Sequence, residues 1–342
     1  MQKIIKSNLL LMALSIFMLA CSQPREVEPH LSGPTMGTSY NVKYVNVEGI
    51  DKQRLQQQIE KVLVDINQLM STYIVDSELS RFNQWQRVEP FSLSNQTIEV
   101  LNEAKRLGEM SDGLLDVTVG PLVNLWGFGP QSRPEKIPTD ELIKLTKAQV
   151  GLDKLTIGDT WASKSQPGLY VDLSTIAKGY AVDKLAELLL NNSVSNFLVE
   201  IGGEMRVSGK KASGNDWKIA IEKPETMQRA VQKIISIGDN AVATSGDYRN
   251  YYQENGVRYS HLIDPSTGYP IKHNLVSVTV IHPSSMTADG LATALSVMGK
   301  DKALELAENY NIAVLLITKE SERFREYTSD KFEQLVTVHQ YQ

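Results

Sequence analysis

Val171-Asp172-Leu173-Ser174-Thr175-Ile176-Ala177-Lys178-Gly179-Tyr180-Ala181-Val182-Asp183 is the stretch on which the reading of this chain turns. Leu169 to Leu173 has the character of the end of an apolar strand. Ser174 or Thr175 reads as a helix cap, and Ala181 to Leu190 continues the helix with apolar residues at helical spacing. A helix start offers unpaired N–H groups and a partial positive charge, which suits a phosphate. Lys178 in the first turn adds a full charge, and Asp172 at the strand end can grip a donor or a metal. Taken alone, the segment reads more readily as an ordinary strand–turn–helix with one surface lysine, because few such units bind phosphate, so the rest of the chain must decide.

Working outward, Ser39 to Val47 alternates polar and apolar residues, the pattern of a half-buried strand. Asp51 to Met70 is a long amphipathic helix, with Leu55, Ile59, Val62, Leu63, Ile66 and Leu69 on one side. Thr97 to Met110 is a second helix. Leu114 to Pro121 is strand-like, and Thr139 caps a third helix running to Val150. Beyond the opening segment, strands at Phe197–Ile201 and Glu204–Ser208 flank a Gly202-Gly203 turn. Tyr251 to Tyr259 is a hairpin about Asn255-Gly256. Leu275 to Ile281 is a β-branched buried strand. Helices at Ser285–Met298 and Lys302–Asn309 and a last strand at Ile312–Ile317 complete the pattern. No linker divides residues 32 to 342, so the expected fold class is α+β: one domain of mixed sheets and flanking helices, with two lobes around a cleft.

The 342 residues carry a net charge of -5, with 42% hydrophobic and 22% charged residues, so the chain is globular. No long basic run follows the first residues, which argues against nucleic acid as a partner. Lys3 and Lys6 precede an apolar run from Leu9 to Ala20, a secretory signal too short to span a membrane comfortably. Cys21, the single cysteine, follows it directly, and Met18-Leu19-Ala20-Cys21 resembles a bacterial lipobox, whose thiol is lipidated. The expected organisation is a signal peptide over 1–20, a tether over 21–33 and a folded domain over 34–342.

Two further segments could carry chemistry. In Met286-Thr287-Ala288-Asp289-Gly290-Leu291-Ala292-Thr293, Asp289 and Thr293 share a helix face, and a carboxylate with a hydroxyl one turn away suits Mg²⁺. The alternative is a dipole-favoured Asp and a Thr bonded back to a carbonyl. In Ser260-His261-Leu262-Ile263-Asp264-Pro265, His261 is placed to act as a general base, or is a strand-end histidine bonded to a carbonyl. There is no His-Glu-x-x-His or cysteine pair for zinc, no Gly-x-Ser-x-Gly elbow, and no dinucleotide fingerprint after Gly202-Gly203.

Taken together, the motifs resemble the ApbE family, the FAD:protein FMN transferases. They are Pro34-Thr35-Met36-Gly37-Thr38, Met70-Ser71-Thr72-Tyr73, Asp116 to Leu122, Asp172 to Ala181, His261 to Pro265 with Thr267-Gly268, and Met286 to Asp289 with Thr293-Ala294-Leu295. The resemblance runs from about Met36 to Ile317. It implies binding of FAD with Mg²⁺, attack on the pyrophosphate by a threonine or serine hydroxyl of a target protein, loss of AMP, and FMN held as a phosphoester. It implies as targets the flavin subunits of ion-pumping membrane redox complexes, of the sodium-pumping quinone reductase or Rnf type, reached from the periplasmic side of the inner membrane through a lipid anchor at Cys21. By position it implies FAD contacts at Met36, Tyr73, Leu114, Leu115, Asp116, Asp172, Lys178 and Ile263. It implies metal ligands at Thr175 (through its carbonyl), Asp289 and Thr293, and a base at His261. Two other outcomes stay open in the sequence: an FAD pyrophosphatase giving free FMN and AMP, and a flavin-binding protein without turnover.

Overall fold

The computed structural model describes residues 27–129, 137–225, 230–247, 250–254, 256–321 and 323–340. The signal segment and Cys21 lie outside the described residues. The order is β1 (His30–Thr35), β2 (Thr38–Tyr44), α1 (Lys52–Met70), α2 (Glu78–Gln84), β3 (Phe91–Ser92), α3 (Asn95–Met110), α4 (Gly120–Leu125) and α5 (Asp140–Lys147). Then come β4 (Leu155–Ile157), β5 (Trp161–Lys164), α6 (Ala177–Asn191), β6 (Phe197–Ile201), β7 (Glu204–Ser208), β8 (Ile219–Glu222), β9 (Val231–Ser236) and β10 (Ala241–Gly246). The chain closes with β11 (Tyr251–Glu254), β12 (Val257–Ser260), β13 (Leu275–His282), α7 (Ser285–Met298), α8 (Lys300–Asn309), β14 (Ala313–Glu320), β15 (Arg323–Thr328), α9 (Asp330–Leu335) and β16 (Thr337–His339).

The frame is an antiparallel sheet of order β1-β2-β6-β7-β10-β13-β14-β15. Its strands alternate between two cores. Val314 and Leu316 of β14 face the large core that holds α6 and α7, whereas Ala313, Leu315 and Ile317 face a second core with Trp217, Ile219 and Phe332. Burial on both faces is why β13 reads as a continuous apolar run rather than an alternating one. The small sheet β16-β9-β8 covers that second side. The structure is a single α+β domain of helices and several sheets.

Four expectations need correcting. The first is the tether: β1 pairs with β2 from His30 onward, so the folded part begins inside the predicted 21–33 segment. Leu169–Leu173 is extended but joins no ladder. The Val171 N–H donates to Asn83 Oδ1 and its carbonyl accepts from Asn83 Nδ2, while the Asp172 N–H donates to the Val117 carbonyl. These partners satisfy the backbone as a strand neighbour would. Likewise Leu114 to Pro121 is a chain of turns leading into α4, because Ser111 and Asp116 side chains capture nearby N–H groups.

Nor do Ser174 and Thr175 cap α6, which starts at Ala177 without a side-chain cap. Asp172 Oδ1 accepts the Ser174 N–H at 2.9 Å, so the segment turns before the helix begins. What fixes α6 is α7. A Cβ on Gly179 would lie 2.3 Å from the Ser285 carbonyl oxygen and 2.8 Å from Asp289 Cβ, so only glycine permits this approach.

One turn along the same contact, Asp183 is set on the start of α7. It accepts hydrogen bonds from the N–H groups of Ser285 and Met286 and from Ser284 Oγ, and it pairs with Arg206 of β7 at 2.6 Å. A carboxylate from one helix thus caps another. Asp183→Ala should destabilise the fold by roughly 2–4 kcal/mol, because it orphans these donors and leaves Arg206 unpaired. Urea unfolding measures this, and a loss under about 0.5 kcal/mol would remove the capping role.

Candidate active site

The α6–α7 contact brings together the two segments singled out in the sequence. The Gly179 N–H donates to Asp289 Oδ2 at 2.9 Å. One residue earlier, Lys178 Nζ lies 2.7 Å from Glu204 Oε2, at the start of β7 just after the Gly202-Gly203 turn. Gly202 and Gly203 have φ of 60° and 109°, which side-chain-bearing residues rarely adopt. Glu204 and Asp289 are both buried, at 4% and 6% exposure. Two buried carboxylates therefore face one ammonium. Burial, reinforced by the Glu204 charge, holds the Asp289 carboxyl well above the usual carboxylate range, against the pull of Lys178 and the Gly179 N–H. Although burial works to lower it, the Lys178 ammonium is held above its ordinary value by Glu204 and Asp289.

This corner fits a hard cation. With both carboxylates ionised it carries one negative charge more than it can neutralise internally, and its donors are oxygens. Thr175 Oγ1 is buried with no hydrogen-bond partner, and Thr293 is half-buried one turn after Asp289. Among the described residues no group of three or more His, Cys, Asp or Glu side chains forms a ready-made metal site. A cation held here would take its remaining ligands from phosphate and water, as Mg²⁺ commonly does.

A second cluster borders the first. Thr35, Met36, Gly37 and Thr38 form a two-residue hairpin turn with Met36 at φ 47° and Gly37 at φ 72°. A methionine in this conformation costs about 1–2 kcal/mol, a strain typical of functional positions. The turn adjoins Lys178: a Cβ on Gly202 would lie 2.9 Å from Thr38 Cγ2 and 3.5 Å from Lys178 Cδ. Further out, Tyr170 joins Asp172 to the end of α1. Burial raises the Tyr170 phenol, the Asp172 charge adds to that, and a Thr72 hydrogen bond opposes it. Next to Thr72, Tyr73 is 76% exposed, so its ring is open to a flat ligand.

His261 follows β12. Its Nδ1 lies 3.0 Å from the Asn250 carbonyl, so Nδ1 carries the proton and Nε2 keeps its lone pair. Burial pushes the imidazole pKa down; the Asn250 carbonyl and the Asp247 charge oppose this, and Arg258 reinforces it. The neighbouring Leu262 packs with Ile271 and with Val297 of α7. Val297 lies one turn past Thr293, so the His261 segment lines the same helix as the oxygen donors.

Not every predicted residue offers its side chain. Leu115 is buried in the main core, and Ile263 packs into the cluster of Leu122, Trp126 and Ile143. Any contact to a ligand from either is through backbone. Leu114 packs half-buried against Leu262, Ile271 and Val297. Asp116 is buried, and its Oδ1 accepts both the N–H and the hydroxyl of Thr118. Glu204, Tyr170 and Asp183 were not legible as site residues. A glutamate after a double-glycine turn or an aspartate inside a helix reads as surface, and only the packing of α6 against α7 and β7 buries them.

The sequence pattern of the ApbE family matches residues 36–316. The chain belongs to the ApbE family. An FAD:protein FMN transferase of Vibrio cholerae is 54% identical over 327 residues, covering 95% of this chain and 98% of the relative. One of Haemophilus influenzae is 49% identical over 343 residues, covering 98% and 99%. The solved structure of the ApbE flavin transferase from Vibrio cholerae superposes with a TM-score of 0.85, covering 91% of this chain and 100% of that one. The Asp289–Lys178–Glu204 corner and the His261 segment of this ApbE-family chain thus lie within the matched span.

Proposed function

We propose that this protein transfers FMN from FAD to a hydroxyl group of a target protein. Support comes from family membership across nearly the full length and, above all, from the buried oxygen corner where Asp289 and Glu204 face Lys178. FAD lies along the surface running from Tyr73 and Asp172 past the Met36 turn to Lys178. Asp289, Thr293 and the Thr175 carbonyl would hold Mg²⁺, which would supply positive charge to offset that of the pyrophosphate. Asp289 and Thr293 supply hard donors at a fixed spacing, Lys178 adds positive charge beside them, and the α6 N-terminus presents backbone N–H groups. His261 Nε2 accepts the proton of the acceptor threonine or serine hydroxyl. The oxygen's electron pair forms the new bond to the FMN phosphorus, the bond from that phosphorus to the bridging oxygen breaks, and AMP leaves with its electrons.

The test is incubation with FAD, Mg²⁺ and a flavin-acceptor subunit, followed by a denaturing gel. A fluorescent acceptor band supports transfer. Free FMN with an unlabelled acceptor makes the protein a pyrophosphatase, and unchanged FAD makes it a flavin-binding protein.

Lipid anchoring at Cys21 places this activity on the periplasmic side of the inner membrane, beside flavin subunits of sodium-pumping quinone reductase or Rnf type. Cys21→Ser should move the protein from the membrane fraction to the soluble fraction of cell extracts. A variant still recovered with membranes would contradict the anchor.

A further inference from the structure

Behind His261 lies an ion pair between a buried carboxylate and a half-buried guanidinium that the transfer chemistry above does not use. Strand β10 ends at Gly246, and the next residue, Asp247, is 2% exposed and donates its N–H to the Val276 carbonyl of β13. Arg258 of β12 reaches it twice, NH1 to Asp247 Oδ2 and NH2 to the Asp247 carbonyl, each at 2.7 Å. The guanidinium also lies over the Tyr251 ring at 4.3 Å. The β11–β12 hairpin is a two-stranded sheet separate from the main one, so this pair fastens the hairpin to the end of a central strand. Three residues after Arg258 comes His261, whose own N–H and ring Nδ1 both meet the Asn250 carbonyl.

The pair is unevenly satisfied. Asp247 Oδ2 has Arg258, but Oδ1 is buried with no hydrogen-bond partner. A buried carboxylate oxygen without a donor leaves part of its charge directed at its surroundings. Among the described residues, the charged groups acting on the His261 ring are Asp247, just after β10, which favours the imidazolium, and Arg258 from β12, which disfavours it. The Phe128 ring meets the imidazole edge-on at 6.3 Å and brings no charge.

We infer that Asp247 is a positioning residue for flavin transfer: through Arg258 it fixes the hairpin that carries His261, and its carboxylate stabilises the imidazolium formed when His261 takes the acceptor's proton. The inference rests on His261 being the base. In the step concerned the acceptor O–H bond breaks, an Nε2–H bond forms, and the oxygen keeps the electron pair that becomes the new P–O bond. No proton passes to Asp247, because His261 Nδ1 meets the Asn250 carbonyl rather than the carboxylate.

The experiment compares full-length Asp247→Asn and Arg258→Gln with the parent in the acceptor-labelling assay, measuring kcat and the KM for FAD from about pH 5 to pH 8. Asp247→Asn should lower kcat about 10–100-fold with the KM for FAD within about twofold. Its acid limb should move to lower pH, because the charge that supports imidazolium is gone. Arg258→Gln should move the acid limb to higher pH, because the opposing charge is gone. Opposite displacements are not produced by a loosened hairpin, which would lower both rates without separating the two limbs. Limbs that stay put, or move together, overturn the inference. Thermal melts check folding, and if Asp247→Asn does not fold, the direction of the Arg258→Gln limb decides alone. His261→Ala run alongside separates the two readings. A normal rate in that variant removes the base itself, whereas a collapsed rate with unmoved limbs in the other two removes only the role of Asp247.

Discussion

Asp289→Asn should abolish Mg²⁺-dependent flavin transfer while leaving the fold at least as stable as the parent. The carboxylate is buried at the closest approach of α6 and α7, and a hydrogen bond from Gly179 holds one of its oxygens. Asparagine has the same shape and can still accept that bond, so the helix contact survives. It also removes a carboxyl that burial and the Glu204 charge disfavour as an anion, so the metal-free protein should melt at the same temperature or higher. The lost charge is the one a cation needs. Losing the anchor for the pyrophosphate's counter-charge should cost at least about 10³-fold in rate, the scale of removing a principal electrostatic stabiliser. Transfer measured at saturating FAD, with a melting curve on the same sample, checks both halves. An active Asn variant would remove the metal assignment, and an inactive variant that also unfolds would mean that Asp289 serves the helix contact.

His261→Ala should slow transfer by roughly 10²–10⁴-fold with FAD binding largely intact, the cost of losing a general base. The geometry also fixes the sign of the pH dependence. Nδ1 is committed to the Asn250 carbonyl, so the reactive nitrogen is Nε2, and it acts only while the ring is neutral. Burial holds the imidazole below its ordinary value of about 6.5. Transfer should therefore hold its rate as pH falls to about 6.5 and be lost only as pH falls through the lower folded value. In the Ala variant that acid limb should vanish from the residual rate. Rate profiles over pH for both proteins test this, and an acid limb persisting in His261→Ala would assign it to another group.

Much of this arrangement was legible in the chain because it rests on local chemistry. Asp51 and Thr139 cap their helices as their types suggest, accepting N–H groups of Gln53 and Arg54 and of Leu142. Asn255 lies outside the described residues, but Tyr251–Glu254 and Val257–Ser260 do pair as two antiparallel strands, and Asp289 and Thr293 do lie on one helix. What escaped the sequence depends on partners far along the chain. Leu169–Leu173 is extended yet belongs to no sheet, because Asn83 and Val117 supply the partners a neighbouring strand would have supplied. Lys178 reads in sequence as a free cation at a helix start, whereas it is paired with Glu204, 26 residues away. Asp183 reads as a helix-surface charge and instead caps a helix about a hundred residues on. In each case a polar group finds its partner through tertiary packing, which no local pattern records.

The most direct test of the account is stoichiometric. With FAD, Mg²⁺ and an acceptor subunit in one tube, intact-protein mass spectrometry counts flavinylated acceptor while chromatography counts AMP and free FMN. The account predicts one AMP for each FMN-bearing acceptor, on a threonine or serine, with little free FMN and with both products absent in Asp289→Asn. AMP and free FMN formed in equal amounts beside an unmodified acceptor would contradict it.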